Sequence, residues 1–530
     1  MIKALRTTAA LLLLGASTLA ATASQADTAN TPTTATIHAD TPGPVYDKDI
    51  FTQFAEHLGE GIYGGLWVGK DSAIPNTNGF RNDVVGALRD LSVPVIRWPG
   101  GCFADEYHWR EGIGDPKNRP VKVNTHWGGV TEPNAVGTHE FFELIRQVGA
   151  EAYVAGNVGD GSPREMAEWV EYMTAPAGSL ADERAANGHK EPWHVKYFGI
   201  GNELWGCGGQ MRAEYAADVT RRYSTFVKTP APDLMNGKVD NKLLKVAAGA
   251  NVEDYNWTET MMRIAAPTLD GLSLHYYVHP AGGWPPRAEP VNFDESGWAD
   301  ALHEAWRMDE LITKHSAIMD KYDPKKRMFL AVDEWGAWYK QDPGTHPGFL
   351  RQQNTMRDAL IAAINLDIFA KHADRVRLTA IAQMVNVLQA MILTQDDKMV
   401  LTPTYWVFHM YKPWQDATVL PIDIKTPTYT VGKYTLPAVS GSAVKGKDGK
   451  IHVSLSNADA TKANTVTITL DGAKEGKVSG TILTAPAINS HNTFAAPNVV
   501  KPAAFNGAKL KGSTLTVTLP AKSVVVLDLQ

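Results

Sequence analysis

The sequence predicts an α/β fold: a (β/α)8 TIM barrel over residues 49–395, then a jelly-roll-like all-β sandwich over residues 396–530. Three observations carry this. Short apolar runs alternate with amphipathic helical stretches, the pattern of a parallel sheet closed by crossover helices. Past Leu401 the period changes to the two-residue Thr/Val alternation of antiparallel strands. Two of the apolar runs lead into a glutamate beside a tryptophan, Glu203-Leu204-Trp205 and Glu334-Trp335, and barrel closure is what brings such distant strand ends to one mouth.

From Thr36 the chain begins as an extended piece, and Asp49 to His57 reads as the first strand, leading into Glu56-His57-Leu58-Gly59 and a Gly/Tyr/Trp-rich loop to Trp67. Val84, Val85, Leu88 and Leu91 give a helix over Asn82 to Asp90 its apolar face. Val93 to Arg97 is the second strand, and the turn Trp98-Pro99-Gly100-Gly101-Cys102 points Arg97 and Cys102 above it. Phe141, Phe142, Leu144 and Ile145 mark a helix over Thr138 to Val148, followed by the strand Ala152 to Gly156. Ser162 as cap, Pro163 in the first turn and Glu165 three residues on start a helix that runs to Met173. The fourth strand, His194 to Phe198, runs into Gly199 and Gly201, which let the backbone pack closely or turn before Asn202 and Glu203.

The alternation continues with a helix over Arg212 to Phe226, strand Leu244 to Gly249, helix Asn256 to Ala265, strand Leu272 to Tyr276 and helix Trp298 to Met319. Arg327 to Val332 then delivers Asp333-Glu334-Trp335, and helix Met356 to Lys371 precedes the eighth strand, Leu378 to Met384. An open doubly wound sheet is the alternative, but Gly156 to Gly161 has the wrong spacing for a dinucleotide loop. The sandwich strands are Ile451–Ser456, Thr465–Leu470, Lys477–Thr484, Leu515–Leu519 and Ser523–Leu529, with turns at Asp448-Gly449 and Asp471-Gly472. This domain reads either as a carbohydrate-binding module or as a structural companion to the barrel; the lack of tryptophan after Trp414 favours the companion.

With 44% hydrophobic and 20% charged residues over 530 positions, the chain has material for a large core and is neither disordered nor fibrous. A net charge of −6 with scattered basic residues excludes a nucleic-acid partner. Lys3, Arg6, the apolar Ala9 to Leu14 and the small residues up to Ala26 read as an export signal over residues 1–26, with residues 27–48 as leader and first extended piece. The expectation is an exported protein, periplasmic or secreted, with no membrane anchor after cleavage, since the apolar run is far short of the roughly 20 residues that span a bilayer. Cys102 and Cys207 are the two cysteines. Strand ends on opposite parts of a site seldom meet disulfide geometry, so free thiols are expected rather than a bond. Metal-ligand spacings are absent, and neither metal nor cofactor is expected.

A lone glutamate after a strand is ordinarily a solvated loop residue. Two, each delivered by its own strand and flanked by tryptophan, point to sugar chemistry, in which one carboxyl protonates a leaving oxygen while the other attacks or activates water and indole faces stack on sugar rings.

Glu56-His57-Leu58-Gly59, Ile96-Arg-Trp-Pro-Gly-Gly101, Tyr107-His-Trp109, Gly201-Asn-Glu203, Ser273-Leu-His-Tyr-Tyr277, Asp333-Glu-Trp335 and Ala382-Gln-Met-Val-Asn386 occur in that order. Together with Ser490-His-Asn-Thr-Phe494 and the closing Ser523-Val-Val-Val-Leu527, they resemble glycoside hydrolase family 51 α-L-arabinofuranosidases from Thr36 to Gln530. The resemblance implies a retaining, exo-acting enzyme on arabinose-containing oligosaccharides or polysaccharides, with Glu203 as general acid/base and Glu334 as nucleophile. Arg97 and Tyr277 would hold the nucleophile, and Glu56, Asn202 and Gln383 would grip the furanose hydroxyls. His275 reads equally as a buried structural histidine or a site residue. Cys102 stands where many members carry Asn. Trp98, Trp109, Trp127, Trp205, Trp335 and Trp338 are subsite candidates, and homo-oligomers, trimers or hexamers, are compatible with the resemblance. Two rivals remain: an endo-glycanase on the same barrel, and a non-catalytic polysaccharide-binding protein.

Overall fold

The computed structural model describes residues 32–230, 242–472 and 476–530; the export signal read over residues 1–26 lies outside them. Eight strands close into a barrel in sequential order: β1 (Thr52–Phe54), β2 (Val95–Trp98), β3 (Glu151–Gly156), β4 (Tyr197–Ile200), β5 (Leu244–Asn251), β6 (Gly271–Val278), β7 (Phe329–Ala337) and β8 (Val376–Ile381). Every pairing is parallel, from β1 with β2 (Phe54 opposite Arg97) round to β8 with β1 (Ile381 opposite Gln53). Around it lie helices α1 (Asn82–Asp90), α2 (Thr138–Val148), α3 (Pro163–Thr174), α4 (Ser179–Ala186), α5 (Ala213–Phe226), α6 (Tyr255–Ile264), α7 (Glu295–Tyr322), α8 (Met356–Lys371) and α9 (Pro403–Met410).

The barrel floor is a packed layer of Val95, Tyr153, Tyr197, Val246, Phe329, Ala331 and Leu378, so ligand access is confined to the C-terminal mouth. β1 is shorter than its apolar run suggests. Lys48–Phe51 form a 3-10 turn because buried Asp49 accepts hydrogen bonds from the Tyr197 hydroxyl at 2.6 Å and from Lys196. Between β5 and β6 the register shifts at Ala247/Ala250, where Gly249 lies so close to β6 that a Cβ would sit 1.6 Å from the Ser273 carbonyl oxygen.

The periodicity missed α9, which lies beyond the barrel boundary drawn at residue 395. Its start was legible: Thr402 Oγ1 caps Tyr405 N and Pro403 occupies the first turn. Phe408 then packs edge-on against Phe51 and stacks on Trp335, closing the barrel's outer layer. Behind it, α8 is buried nearly all round because the β domain covers the side that the barrel does not. Asp367 of this helix accepts hydrogen bonds from Tyr411, Ser442 and Ser454.

The C-terminal domain comprises a five-stranded and a seven-stranded sheet. In residues 464–471, Val466, Ile468 and Leu470 face the shared core while the intervening threonines are exposed, as the alternation requires. The chain's first extended piece is an inner strand of this domain: Thr33–His38 pairs with residues 422–425 on one side and 464–471 on the other. The β domain therefore straddles the barrel in sequence.

Candidate active site

β4 ends at Ile200, and the chain turns sharply at Gly201 (φ +76°) so that Glu203 stands over the mouth in a left-handed conformation (φ +42°). Glu203 O closes this turn by accepting from Gly206 N and Gly208 N at 2.7 and 3.1 Å. Asp105, from the turn after β2, anchors it from behind, with one oxygen accepting from Asn202 N at 2.7 Å and the other from Val158 N and Gly159 N at 2.7 and 3.0 Å. Burial pushes the Asp105 carboxyl up to about 7 against the pull of those three N–H groups.

Glu203 Oε1 accepts a hydrogen bond from His275 Nδ1 at 2.8 Å. Its Oε2 lies 3.6 Å from Cys207 Sγ and 4.0 Å from Cys102 Sγ. Those two sulfurs are bonded to each other, with Cα atoms 5.5 Å apart, which corrects the expectation of free thiols. β2 and β4 are not on opposite sides of the site. Only β3 separates them, and both following turns fold over its end.

Glu334 lies within β7, where a register shift between Val332 and Trp335 lets both Asp333 and Glu334 reach the interior. Arg97 Nη1 donates to Glu334 Oε1 at 2.9 Å and the Tyr277 hydroxyl to Oε2 at 2.9 Å. Arg97 Nη2 donates to Asn202 Oδ1 at 2.6 Å, so one guanidinium ties β7 to the turn that carries Glu203. Asp333 accepts from the Tyr153 hydroxyl at 2.7 Å and lies 3.3 Å from His275 Nε2. Burial opposes its ionisation, but Arg97, His275 and Tyr153 prevail and hold it at about 2. For His275, burial lowers the pKa most strongly, yet Glu334, Asp333 and Glu203 together lift it to about 10. Burial first and the charge of Glu334 second raise the pKa of Glu203. One carboxylate oxygen of Glu203, one of Glu334 and a ring nitrogen of His275 lie within 4.8 Å of one another.

On the far side, Glu56 accepts from Phe103 N at 3.1 Å and from Trp127 Nε1 and Gln383 Nε2, both at 2.9 Å. Burial, reinforced by Glu334, pushes this carboxyl up to about 7. A cavity of about 440 Å³ opens between these groups. Glu56, Cys102, Glu203, Tyr277, Glu334 and Gln383 line it, while Arg97, Asn202 and His275 are buried beneath, hydrogen-bonded to its acids or to each other. All nine residues singled out from the sequence thus converge.

The tryptophans divide. Trp127, Trp205 and Trp338 line the cavity, whereas Trp98, Trp109 and Trp335 are fully buried core residues, which corrects their reading as subsite candidates. Residues that sequence reasoning missed are Asp105, Tyr153, His279 and Trp284. Trp284, 66% exposed, stands edge-on to Trp338 at the cavity rim. Its signal was the loop Gly282-Gly283-Trp284-Pro285 directly after a site strand.

Two facing carboxylates over a barrel's C-terminal mouth, one gripped by an arginine and a tyrosine and both walled by indoles, define a glycoside hydrolase. Comparison with known proteins narrows the class. Residues 87–282 match the Alpha-L-arabinofuranosidase 1 domain and residues 333–523 the Alpha-L-arabinofuranosidase C-terminal domain. The intracellular exo-α-L-arabinofuranosidase of Bacteroides ovatus is 50% identical over 522 residues, 98% of this chain and 99% of that one. The crystal structure of a glycoside hydrolase family 51 arabinofuranosidase from Xanthomonas axonopodis pv. citri superimposes with a TM-score of 0.92 at 60% identity, covering 94% of this chain and 100% of that one. That of the Thermotoga maritima α-L-arabinofuranosidase in complex with arabinose gives 0.81 at 27% identity, covering 94% and 99%. The chain belongs to the α-L-arabinofuranosidases of glycoside hydrolase family 51.

The Bacteroides relative is an intracellular enzyme, which overturns the expectation of a periplasmic or secreted protein. The apolar run Ala9 to Leu14 behind two basic residues is short, and hydropathy alone does not separate an export signal from an ordinary apolar start. No helix among the described residues is long and apolar enough to cross a membrane.

Proposed function

We propose that this chain is an exo-acting, retaining α-L-arabinofuranosidase that releases terminal arabinofuranosyl units from arabinoxylan or arabinan oligosaccharides. The observation that carries it is the unequal treatment of two carboxylates within 4.8 Å. Glu334 receives Arg97 and Tyr277, donors that favour its anion and aim it, as a nucleophile needs. Glu203 is half-buried, and desolvation of its carboxyl together with the nearby charge of Glu334 raises its pKa, as an acid needs. Carboxylate oxygens no more than 4.8 Å apart fall well short of the roughly 6.5–9.5 Å of inverting enzymes, which make room for water, and agree with the closer pair of retaining ones.

Glu334 attacks the anomeric carbon while Glu203 donates its proton to the departing oxygen. Glu203, now a base, takes a proton from water, which releases the sugar from Glu334. His275 stays charged beside both and offsets the repulsion as negative charge moves from one carboxyl to the other. Glu56 and Gln383 face the furanose hydroxyls from the cavity wall, while buried Asn202, its oxygen taken by Arg97 and its amide nitrogen turned to Cys207 Sγ at 3.9 Å, braces the site beneath them. The relatives' exo-action agrees with a cavity at the small end of the roughly 300–1,000 Å³ range of ligand sites.

Proton NMR of the first-formed arabinose tests the stereochemistry, and chromatography of the products from arabino-oligosaccharides tests the mode of attack. The α anomer and single sugar units are expected. An initial β anomer would exclude retention, and longer fragments would favour the endo-glycanase.

A further inference from the structure

We propose that the Cys102–Cys207 disulfide is a positioning element for Glu203, and that its reduction weakens general-acid catalysis by this enzyme. The inference deepens the proposed function and rests on the acid/base role given to Glu203.

The bond joins the turn after β2 to the turn after β4 across the end of β3. Glu203 sits four residues before Cys207, in a left-handed backbone conformation that an L-residue does not hold without support. Asp105 supports the turn from behind, the Gly206 and Gly208 amides close it, and the covalent tie fixes its far end. Among the described residues no N–H or O–H donates to Glu203 Oε2; the two disulfide sulfurs are its neighbours, and Cys102 lines the cavity. A disulfide carries no proton, so its sulfurs donate no hydrogen bond to this oxygen and do not stabilise its anion.

The charged and titratable groups around Glu203 are His275 and Tyr277 from β6, Glu334 and Asp333 from β7, Arg97 from β2 and Asp105 behind the turn. Reduction alters none of these. It replaces the bond by two thiols whose S–H groups point donors at Oε2, favouring the carboxylate, and it frees the turn. A dithiol supplies the two electrons and two protons: the S–S bond breaks, each cysteine sulfur gains a hydrogen, and the dithiol closes into its own disulfide. Both cysteines are half-buried and Cys102 lines the cavity, so a small dithiol has access.

With just two cysteines in the chain, any effect of a dithiol reports on this bond. The full chain is reduced with dithiothreitol, its free thiols are counted, and kcat/KM against pH is compared with the oxidised enzyme on arabinofuranosides of graded leaving group. Loss of acid catalysis bears on poor leaving groups. On an alkyl arabinofuranoside the expected fall is about tenfold or more, with little change on the dinitrophenyl compound. The alkaline limb should move down by about half a pH unit, and diamide should restore both. A verified reduction that lowers all substrates equally, or leaves the limb in place, overturns the proposal.

Paired variants separate donor from tether and serve if the bond resists dithiothreitol. Cys102→Ser/Cys207→Ser supplies hydroxyl donors and should shift the limb, while Cys102→Ala/Cys207→Ala should not; identical profiles overturn it. Glu203→Gln keeps this distinct from the parent reading: if that variant retains turnover, the acid assignment falls, whereas an inactive Glu203→Gln beside a redox-indifferent native enzyme sinks only the disulfide's role.

Discussion

Replacing His275 by asparagine removes the cation that bridges the acidic cluster, and the structure sets the sign and size of the result. Nδ1 donates to Glu203 Oε1 at 2.8 Å and lies 3.6 Å from Glu334 Oε2, while Nε2 lies 3.3 Å from Asp333 Oδ1. With its pKa lifted to about 10, the ring is charged throughout the neutral range. A hydrogen bond to a charged group contributes about 1.5–3 kcal/mol, and 1.36 kcal/mol corresponds to one pKa unit, so Glu203, which takes that bond, should shift by about one unit. The shift is upward, because Glu203 loses the donor that favours its anion, and it raises the alkaline limb of kcat/KM. The assay is the pH profile of nitrophenyl arabinofuranoside hydrolysis for native enzyme and His275→Asn, with circular dichroism to confirm folding. An alkaline limb displaced upward is expected. A lower plateau with both limbs fixed would reduce His275 to packing, and a downward alkaline limb would refute the electrostatic reasoning.

The other outcomes follow from single contacts. Asp333 is held at about 2 in the folded protein against 3.8 for the free side chain, so the stability it confers is present above about pH 4 and lost as pH falls toward 2. Asp333→Asn should cost about 2 kcal/mol at neutral pH and flatten chemical unfolding free energy between those values. Gly249→Ala sets a Cβ into the Ser273 carbonyl and should cost about 3 kcal/mol or more, read as a fall in Tm, with native stability refuting the close approach of β5 and β6. Trp284→Ala removes an exposed indole at the cavity rim and should raise KM for arabino-oligosaccharides about five- to tenfold while sparing kcat on the nitrophenyl glycoside. An unchanged KM would exclude Trp284 from the leaving-group site.

Much of this site was legible because barrel strands write their own signature. A short apolar run followed by a functional residue locates β4 with Glu203 and β7 with Glu334, and the alternation with helices dictates that they share a mouth. What did not show were relations set by three-dimensional closure. That Asn202 spends its oxygen on Arg97, or that Asp105 anchors the Glu203 turn, depends on loops from neighbouring strands. The cystine was misjudged because strand adjacency around the barrel, not distance in sequence, decides which turns meet. Trp98, Trp109 and Trp335 resemble cavity-lining tryptophans in sequence and differ only in the side of the strand or loop that they occupy. The first strand was drawn too long because Asp49, a polar residue inside an apolar run, is satisfied by Tyr197 and Lys196 and turns the backbone.

The assignment of the two carboxyls is tested most directly by azide rescue of Glu203→Ala and Glu334→Ala, with the configuration of each product determined by NMR. Azide should trap the glycosyl-enzyme formed by Glu334 in Glu203→Ala, giving the α-L-arabinofuranosyl azide through two inversions. In Glu334→Ala it should displace the leaving group directly, giving the β azide. The opposite pairing of configurations would exchange the two roles, and native-like turnover in either folded variant without azide would contradict them.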